Sequence, residues 1–395
     1  MRRTLVGFCW LASLCQLASF CALATAHAQG TVKVGLIMTY SGQFADAAAQ
    51  MDNGIKLYMK QHGDAVSGKK IEIIRRDTGG APEAAKRLAQ QLIVRDNVDV
   101  LAGFVITPEA LAVADLSAEA KKFMVVMNAA TSIITTRSPY MARVSVTLPQ
   151  NCEQLAVWAF RNGIRKVYTV VSDYAPGHDA EASFQSAFKA AGGEIAGALR
   201  MPVTTVDFSP FVQHVKDQDP QALFVFIPGG SQPPALAKAL VERGIDPKKI
   251  RVMGQGEITD EQALAGMGDA AVGIITAFHY DYNHPSNTNA IFVSAYNAEF
   301  KRNPDLFSVG GYDGMHLIYE ALKKTGGKAD GEGLIAAAKG MAWESPRGPL
   351  SIDPQTRDVV QTIYIRRVEK VSGQLRNVEI EKFENVKDPA KARMK

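Results

Sequence analysis

The stretch at residues 98–131 constrains the fold of this chain more than any other sequence feature. Two short apolar runs rich in Val and Met flank a segment, 109–122, that carries Ala and Leu at helical spacing. This pattern predicts a strand–helix–strand unit. Apolar runs of this kind are typical of strands in a parallel sheet that is covered on both faces. The stretch therefore predicts an α/β fold.

A hydroxyl-bearing residue follows each of the two predicted strands, Thr107 after the first and Thr131 after the second. In open α/β sheets, ligands bind outside the carboxyl ends of the strands. The free N–H groups at a helix start favour an anion, so the pair is a candidate site for a small carboxylate. Each threonine is also a typical helix N-cap, and the sequence leaves both roles open.

Length and composition limit the classes of protein that this chain represents. The 395 residues suit one large or two ordinary domains, and 47% apolar with 21% charged residues is ordinary for a globular protein. The formal net charge of +4 is small and its basic residues are dispersed, which argues against a nucleic-acid partner.

The first 28 residues are expected to be a signal peptide. Arg2 and Arg3 precede an apolar stretch at 5–23, and a small-x-small motif ends just before Gln29. Ser, Gln and Cys interrupt that stretch, which disfavours a retained membrane anchor. We therefore expect a soluble periplasmic protein, without membrane insertion after cleavage. Cleavage would leave Cys152 as a packed thiol with no disulfide partner.

Strands and helices alternate over two stretches of the chain, separated by a linker-like segment at 143–149. The alternation restarts with a predicted strand at 166–172, which indicates two doubly wound α/β domains. After residue 279 the pattern changes to predicted helices and closing strands. The predicted helices are at 289–302, 312–325 and 331–339, and the predicted strands at 348–352, 359–368 and 377–383.

The sequence contains no complete catalytic or metal-binding motif among the known patterns considered below. No Gly-x-Ser-x-Gly elbow occurs, and no positioned nucleophile accompanies His178 and Asp179. The spacing of His279, Asp281 and His284 suits no helix face, which disfavours a metal site. We therefore predict a protein that is not an enzyme, with no catalytic residue, metal or cofactor.

Several short motifs, in their order and spacing, resemble one known family. They are Val34-Gly35-Leu36 through Ser41-Gly42, Gly103 through Thr107, Asn128-Ala129-Ala130-Thr131, Met253-Gly254 with residues 268–273, and Gly348-Pro349-Leu350. Over nearly the whole mature chain, the sequence resembles the periplasmic solute-binding proteins of ABC importers of the Leu/Ile/Val-binding type. The resemblance implies a type I periplasmic binding fold, in which three crossovers join two lobes that close on a ligand.

The resemblance also implies where the chain passes between the lobes. The crossings are expected near 143–148, 278–283 and 352–354. Lobe 1 is then 29–145 plus 283–353, and lobe 2 is 146–282 plus 354–395.

By the same resemblance, lobe 1 holds the ligand carboxylate through Thr107 and Thr131, with a backbone carbonyl from Ala129. On lobe 2, relatives meet a ligand amino group with a Tyr and a Glu. Here Pro176 occupies the Tyr position with Tyr174 two residues earlier, and Glu257 or its neighbour Gln255 covers the Glu position. An ammonium buried without these partners is costly, so a carboxylate without an amino group becomes plausible.

Four aromatic residues stand where family members line the pocket: Phe104, Tyr174, Phe278 and Tyr312. Such rings favour a flat apolar ligand, although ordinary core packing explains each of them equally well. We therefore expect an exported protein that delivers a small hydrophobic carboxylate, with an aromatic acid favoured, to an ABC permease. The alternatives are uptake of a branched-chain or other apolar amino acid, and a ligand-binding sensor for a signalling partner.

Overall fold

The computed structural model describes residues 30–393. The expected signal peptide, residues 1–28, lies outside this range. Within it, the strands form two separate sheets, one of six strands and one of nine. No helix of this part of the chain is both long and apolar enough to cross a bilayer.

The first sheet contains the strands of the first alternating stretch. These are β1 (Thr31–Met38), β2 (Ala65–Val66), β3 (Lys69–Asp77), β4 (Val100–Gly103), β5 (Phe123–Val126) and β6 (Met141–Arg143). Their order across the sheet is β2-β3-β1-β4-β5-β6. All pairs are parallel except the short β2–β3 pair. Because β1 lies between β3 and β4, the winding reverses there, and such a switch point leaves a crevice at the carboxyl ends of the strands.

The second sheet repeats this arrangement and adds closing antiparallel strands. It contains β7 (Lys166–Ser172), β8 (Glu194–Met201), β9 (Ala222–Phe226), β10 (Arg251–Gln255), β11 (Ile275–Phe278), β12 (Ala342–Ser345), β13 (Gly348–Ile352), β14 (Val359–Val371) and β15 (Gln374–Val386). The order is β12-β13-β14-β11-β10-β9-β7-β8, and β15 pairs with β14. Here β7 lies between β8 and β9, which creates a second switch point.

Helices cover both sheets. They are α1 (Ala45–His62), α2 (Pro82–Val94), α3 (Thr107–Glu119), α4 (Leu148–Arg161), α5 (Ala175–Ala190), α6 (Ser209–Asp217), α7 (Gln232–Glu242), α8 (Glu261–Met267), α9 (Asn287–Phe300), α10 (Leu306–Lys324), α11 (Gly331–Ala338) and α12 (Pro389–Ala392). Short 3-10 turns occupy Gly42–Phe44, Ser132–Thr136, Gly256–Thr259 and Gly268–Ala271. The predicted alternation is confirmed, but α3, α9 and α10 begin two to six residues earlier than the sequence pattern indicated.

The early start of α10 has a clear physical cause. Asp305 caps the helix in a capping box with Ser308, which satisfies backbone N–H groups that have no partner inside the helix. The first turns also pack directly on α1. A Cβ atom on Gly54 would lie 1.9 Å from the carbonyl oxygen of Ser308, and one on Gly311 would lie 2.1 Å from that of Met51. This close approach supports a helix across a sequence that is a weak helix former by itself.

The late elements divide between the two lobes, which we define as each sheet with the helices packed on it. Helices α9 and α10 pack against α1 in the first lobe, whereas β14 and β15 extend the second sheet. The β12–β13 hairpin bridges the lobes. Strand β13 pairs with β14, while Met341 and Ile352 are buried in the hydrophobic core of the first lobe. The lobe boundaries given above stay a prediction.

Candidate functional site

A cavity of about 770 Å³, including its part open to solvent, lies between the carboxyl ends of the two sheets. Its first-lobe wall comes from the segments that follow β1, β4 and β5, and its second-lobe wall from those that follow β7, β9 and β10. These are the strands at and beside the two switch points, where α/β sheets bind ligands.

The predicted threonine pair lies at the first-lobe end of the cavity, where Thr107 is a lining residue and Thr131 is not. Thr107, the first residue of α3, lines the cavity, and its Oγ1 lies 2.8 Å from Oγ1 of Thr131. Both residues are buried. One hydroxyl proton is used between the two side chains, which leaves the other for an external acceptor. Asn128 ties the two loops together, because its Nδ2 donates to the carbonyl oxygen of Val105 at 2.7 Å.

Ala129 also lines this end of the cavity. Its carbonyl oxygen accepts a hydrogen bond from Nη1 of Arg143 at 3.1 Å. The carbonyl that the family resemblance assigned to the ligand therefore already has one partner within the protein. Its contact with a ligand stays a prediction.

The second-lobe end carries Tyr174, Pro176 and Glu257, which all line the cavity. Burial, and secondarily the Asp260 carboxylate, raises the pKa of Glu257 to about 7. The N–H of Gly229 donates to its Oε2 at 3.3 Å. Burial and the Glu257 carboxylate raise the pKa of Tyr174, so this residue stays a neutral phenol. Gln255, the other candidate for the Glu position, instead accepts from the N–H of Glu257 at 2.9 Å.

Four aromatic rings face the cavity: Phe44, Tyr174, Phe226 and Phe307. The rings of Tyr174 and Phe226 lie 6.2 Å apart between centroids. Only Tyr174 belongs to the aromatic set predicted from the sequence. The other three are missed because the sequence does not say which rings at strand ends and helix starts face the cleft.

Phe104, Phe278 and Tyr312, the other predicted pocket rings, are not among the residues that line this cavity. Phe104 has a left-handed backbone conformation, with φ of 68°, and its side chain is buried in the first-lobe core. Phe278 is buried under the guanidinium group of Arg366, 4.9 Å from the ring centroid. The side chain of Tyr312 packs against Tyr58 and its hydroxyl donates to Gln61. These three rings have packing roles.

Three further carboxylates line the cavity, and none of them was predicted: Asp46, Asp260 and Asp305. Burial raises the pKa of Asp305 to about 7. Asp260 follows the carboxyl end of β10, so the strand-end rule identifies its location. Asp46 lies in the first turn of α1, in the segment that follows β1, whereas Asp305 is brought there by the packing of α10 on α1, which no local pattern indicates. Among residues 30–393, no group of three or more His, Cys, Asp or Glu side chains is arranged to hold a metal ion.

Comparison with known proteins identifies the class. Residues 31–374 match the family described as periplasmic binding protein, and the chain belongs to that family. The predicted family and the predicted fold of two doubly wound α/β lobes are thereby confirmed. This family and fold are those of substrate-binding proteins.

The individual relatives are similar over nearly their whole length. A protein of Brucella melitensis named Leu/Ile/Val-binding protein homolog 6 is 44% identical over 362 residues, which is 91% of this chain and 93% of that protein. A solute binding protein of an ABC transporter from Rhodopseudomonas palustris BisB5, solved in complex with 3,4-dihydroxy benzoic acid, is 56% identical. It has a TM-score of 0.88, with 91% of this chain and 99% of that chain covered.

A second solved structure has a similar fold and a related ligand. It is a solute binding protein of an ABC transporter from Rhodopseudomonas palustris HaA2, in complex with p-hydroxybenzoic acid. It is 42% identical with a TM-score of 0.89, and the match covers 92% of this chain and all of that chain.

Proposed function

We propose that this protein is the periplasmic solute-binding component of an ABC importer, that it is exported by cleavage of residues 1–28, and that it captures a hydroxylated aromatic acid. The lobes close on the ligand by hinge motion, and the closed form delivers it to the permease without chemical change. The two similar proteins solved with dihydroxybenzoic and hydroxybenzoic acid support this ligand class.

The observation that carries the proposal is the difference in chemistry between the two ends of one cavity. At the first-lobe end, the Thr107–Thr131 hydroxyl pair suits a carboxylate. At the second-lobe end, Glu257 is an acceptor for a ligand hydroxyl. The four rings named above offer apolar walls to a planar ligand.

A second candidate is an apolar amino acid, for which Glu257 favours an ammonium group. The relative named Leu/Ile/Val-binding protein homolog 6 supports this alternative. Two features weigh against it. By the family resemblance Pro176 stands where relatives carry the second-lobe Tyr, and four aromatic residues line the cavity, which suits a planar ligand.

Isothermal titration of the mature protein with four ligands separates the two candidates. We expect tight binding of 3,4-dihydroxybenzoate and 4-hydroxybenzoate, weaker binding of benzoate, and no heat from leucine. Tight leucine binding without any response to the aromatic acids would overturn the proposal in favour of amino acid uptake. p-Coumarate, titrated alongside, measures how much longer a ligand the cavity accepts.

A further inference from the structure

The loop 129–132, which carries Thr131, is held by hydrogen bonds from one buried side chain. Nη1 of Arg143 donates to the carbonyl oxygens of Ala129 at 3.1 Å and of Thr131 at 2.8 Å. Between them, the carbonyl oxygen of Ala130 accepts from the N–H of Leu148 at 3.0 Å. Three successive carbonyls of this loop therefore have partners outside the loop.

These contacts fix the direction of the peptide N–H groups. In a trans peptide the C=O and N–H bonds point in opposite directions. Since the carbonyl of Ala129 points at Arg143, the N–H of Ala130 points away from it, and Ala130 lines the cavity. The carbonyl of Thr131 is held in the same way, and the N–H of the next residue, Ser132, donates to Asp179 on α5 of the second lobe at 2.8 Å.

Neighbouring carboxylates neutralise the charge of Arg143, so this charge attracts an anion in the cavity little. Asp358 accepts from Nε at 2.9 Å and from Nη2 at 2.7 Å, and Lys391 contacts the other oxygen of the same carboxylate. Asp388 and Asp179 lie beside this cluster. Arg393, paired with Glu153, also lies beside Asp179 and Asp388, so three cations stand against four carboxylates and the cluster offers no net attraction to an anion. Arg143 therefore affects a ligand through the geometry of the loop, not through its charge.

We infer that Arg143 is the positioning residue of the carboxylate site: it orients the 129–132 loop so that the Ala130 N–H and the Thr131 hydroxyl together meet the ligand carboxylate. This inference rests on the proposed function. The Ala130 N–H is then a hydrogen-bond donor to the ligand carboxylate. No side-chain pattern in the sequence reveals it, because it belongs to the backbone. Arginine suits this role because its guanidinium group carries several N–H groups, which donate to two carbonyls and to Asp358 at once.

The test is the Arg143→Lys variant, titrated with 4-hydroxybenzoate and with 4-hydroxybenzyl alcohol, a neutral analogue without the carboxylate. Lysine keeps a positive charge beside Asp358 but cannot make the same set of hydrogen bonds. We expect the Kd for the acid to rise by about tenfold, and the Kd for the alcohol to change by less than about threefold. A general structural defect would weaken both ligands equally, and that result would overturn the inference.

Arg347→Lys is the matched control. Arg347 is equally buried, pairs with Asp313 at 2.9 Å, and donates to the carbonyl oxygens of Val144 and Ser145 instead of those of the ligand loop. We expect a comparable loss of melting temperature in both variants and a loss of acid affinity in Arg143→Lys alone. Equal loss of acid affinity in the two variants would contradict a specific role for Arg143.

A measurement on the unaltered chain keeps the inference testable if the Arg143 variant does not fold. In ¹⁵N-labelled protein, the Ala130 amide resonance is expected to shift strongly with 4-hydroxybenzoate and little with the alcohol. An Ala130 shift that does not depend on the carboxylate overturns the inference alone. A wild-type protein that binds no aromatic acid overturns the proposed function, and this inference with it.

Discussion

The two ends of the cavity differ in how they are prepared for a ligand. The first-lobe end has neutral donors, namely the Thr107–Thr131 hydroxyl pair, which keeps one proton for a ligand, and the N–H of Ala130. The second-lobe end has an acceptor, Glu257, whose carboxyl group is not fully ionised at neutral pH. Asp260 from the second lobe, and Asp46 and Asp305 from the first, also line the cavity.

This difference predicts one orientation for a ligand bound in the cavity. An anionic group is repelled by the second-lobe carboxylates and finds donors on the first lobe, whereas a ligand hydroxyl finds an acceptor at Glu257. A hydroxylated aromatic acid carries both groups on one rigid ring, so each lobe holds one end of the ligand. Closure of the lobes is then favoured by a ligand that makes hydrogen bonds to both of them. The following predictions, from the largest expected effect to the smallest, test this difference between the ends.

Placing a carboxylate at the donor end should have the largest effect. In Thr107→Asp the new charge would face the ligand carboxylate in a site of low dielectric, so we expect affinity for 4-hydroxybenzoate to fall by more than about 100-fold. Because Thr107 is buried, the new carboxylate also costs desolvation, which its favourable position in the first turn of α3 offsets only in part, so the melting temperature should fall modestly. Calorimetry and thermal unfolding check both parts. Thr107→Ser, which keeps the hydroxyl, serves as the control and should bind within about threefold of wild type.

Removing one hydroxyl from the donor end should weaken binding less. Thr131→Val keeps the side-chain shape, removes the partner of Thr107, and should weaken binding of the acid by roughly 1–3 kcal/mol. Thr131→Ser should restore most of the affinity. The double variant of Thr107 and Thr131, both changed to Val, should lose less than the sum of the single losses, because the two hydroxyls act as one hydrogen-bonded unit. Full additivity would indicate two independent contacts.

Neutralising the acceptor end should change selectivity more than affinity. Glu257→Gln removes a charged acceptor, so we expect the preference for 4-hydroxybenzoate over benzoate to fall by about tenfold. Benzoate, which has no hydroxyl, should bind the variant at least as well as it binds wild type. Competition titration of the two ligands measures the ratio. A ratio that does not change would show that the ligand hydroxyl is held elsewhere.

The smallest expected effect is the pH dependence of the same preference. Burial raises the pKa of Glu257 to about 7, and the ionised form is the acceptor for a ligand hydroxyl. Affinity for 4-hydroxybenzoate should therefore rise by about threefold from about pH 6 to about pH 8. Affinity for benzoate should fall, because an ionised carboxylate without a partner is costly to bury. Asp305 titrates in the same range, so slopes that persist in Glu257→Gln would assign the effect to Asp305 instead.

The sequence predicted the elements of the fold well where hydrophobic patterning decides them. The strands Lys166–Ser172 and Gly348–Ile352 have the predicted bounds. The helix starts were predicted less well. Thr107 and Phe307 both lie in first helical turns that the pattern did not assign to helix. Proline follows Thr107 in α3, and packing on α1 supports the first turns of α10.

The candidate site was predicted unevenly for a related reason. Thr107, Ala129, Tyr174 and Glu257 follow the carboxyl ends of parallel strands, and a rule based on strand ends places them in the cleft. Asp305 and Phe307 enter the cleft only because α10 packs on α1, which is a long-range contact. Phe104 also follows a strand, but its left-handed φ sends the ring into the core. Strand ends predict where a site lies, and backbone conformation decides which side chains face it.

A crystal structure of the protein with 3,4-dihydroxybenzoate tests the predicted orientation of the ligand in the cavity most directly. The account predicts carboxylate oxygens within hydrogen-bond distance of the Thr107 and Thr131 hydroxyls and of the Ala130 N–H. The ring hydroxyls should face Glu257. A ligand bound in the opposite direction, with its carboxylate beside Glu257 and its hydroxyls beside Thr107, would contradict the account.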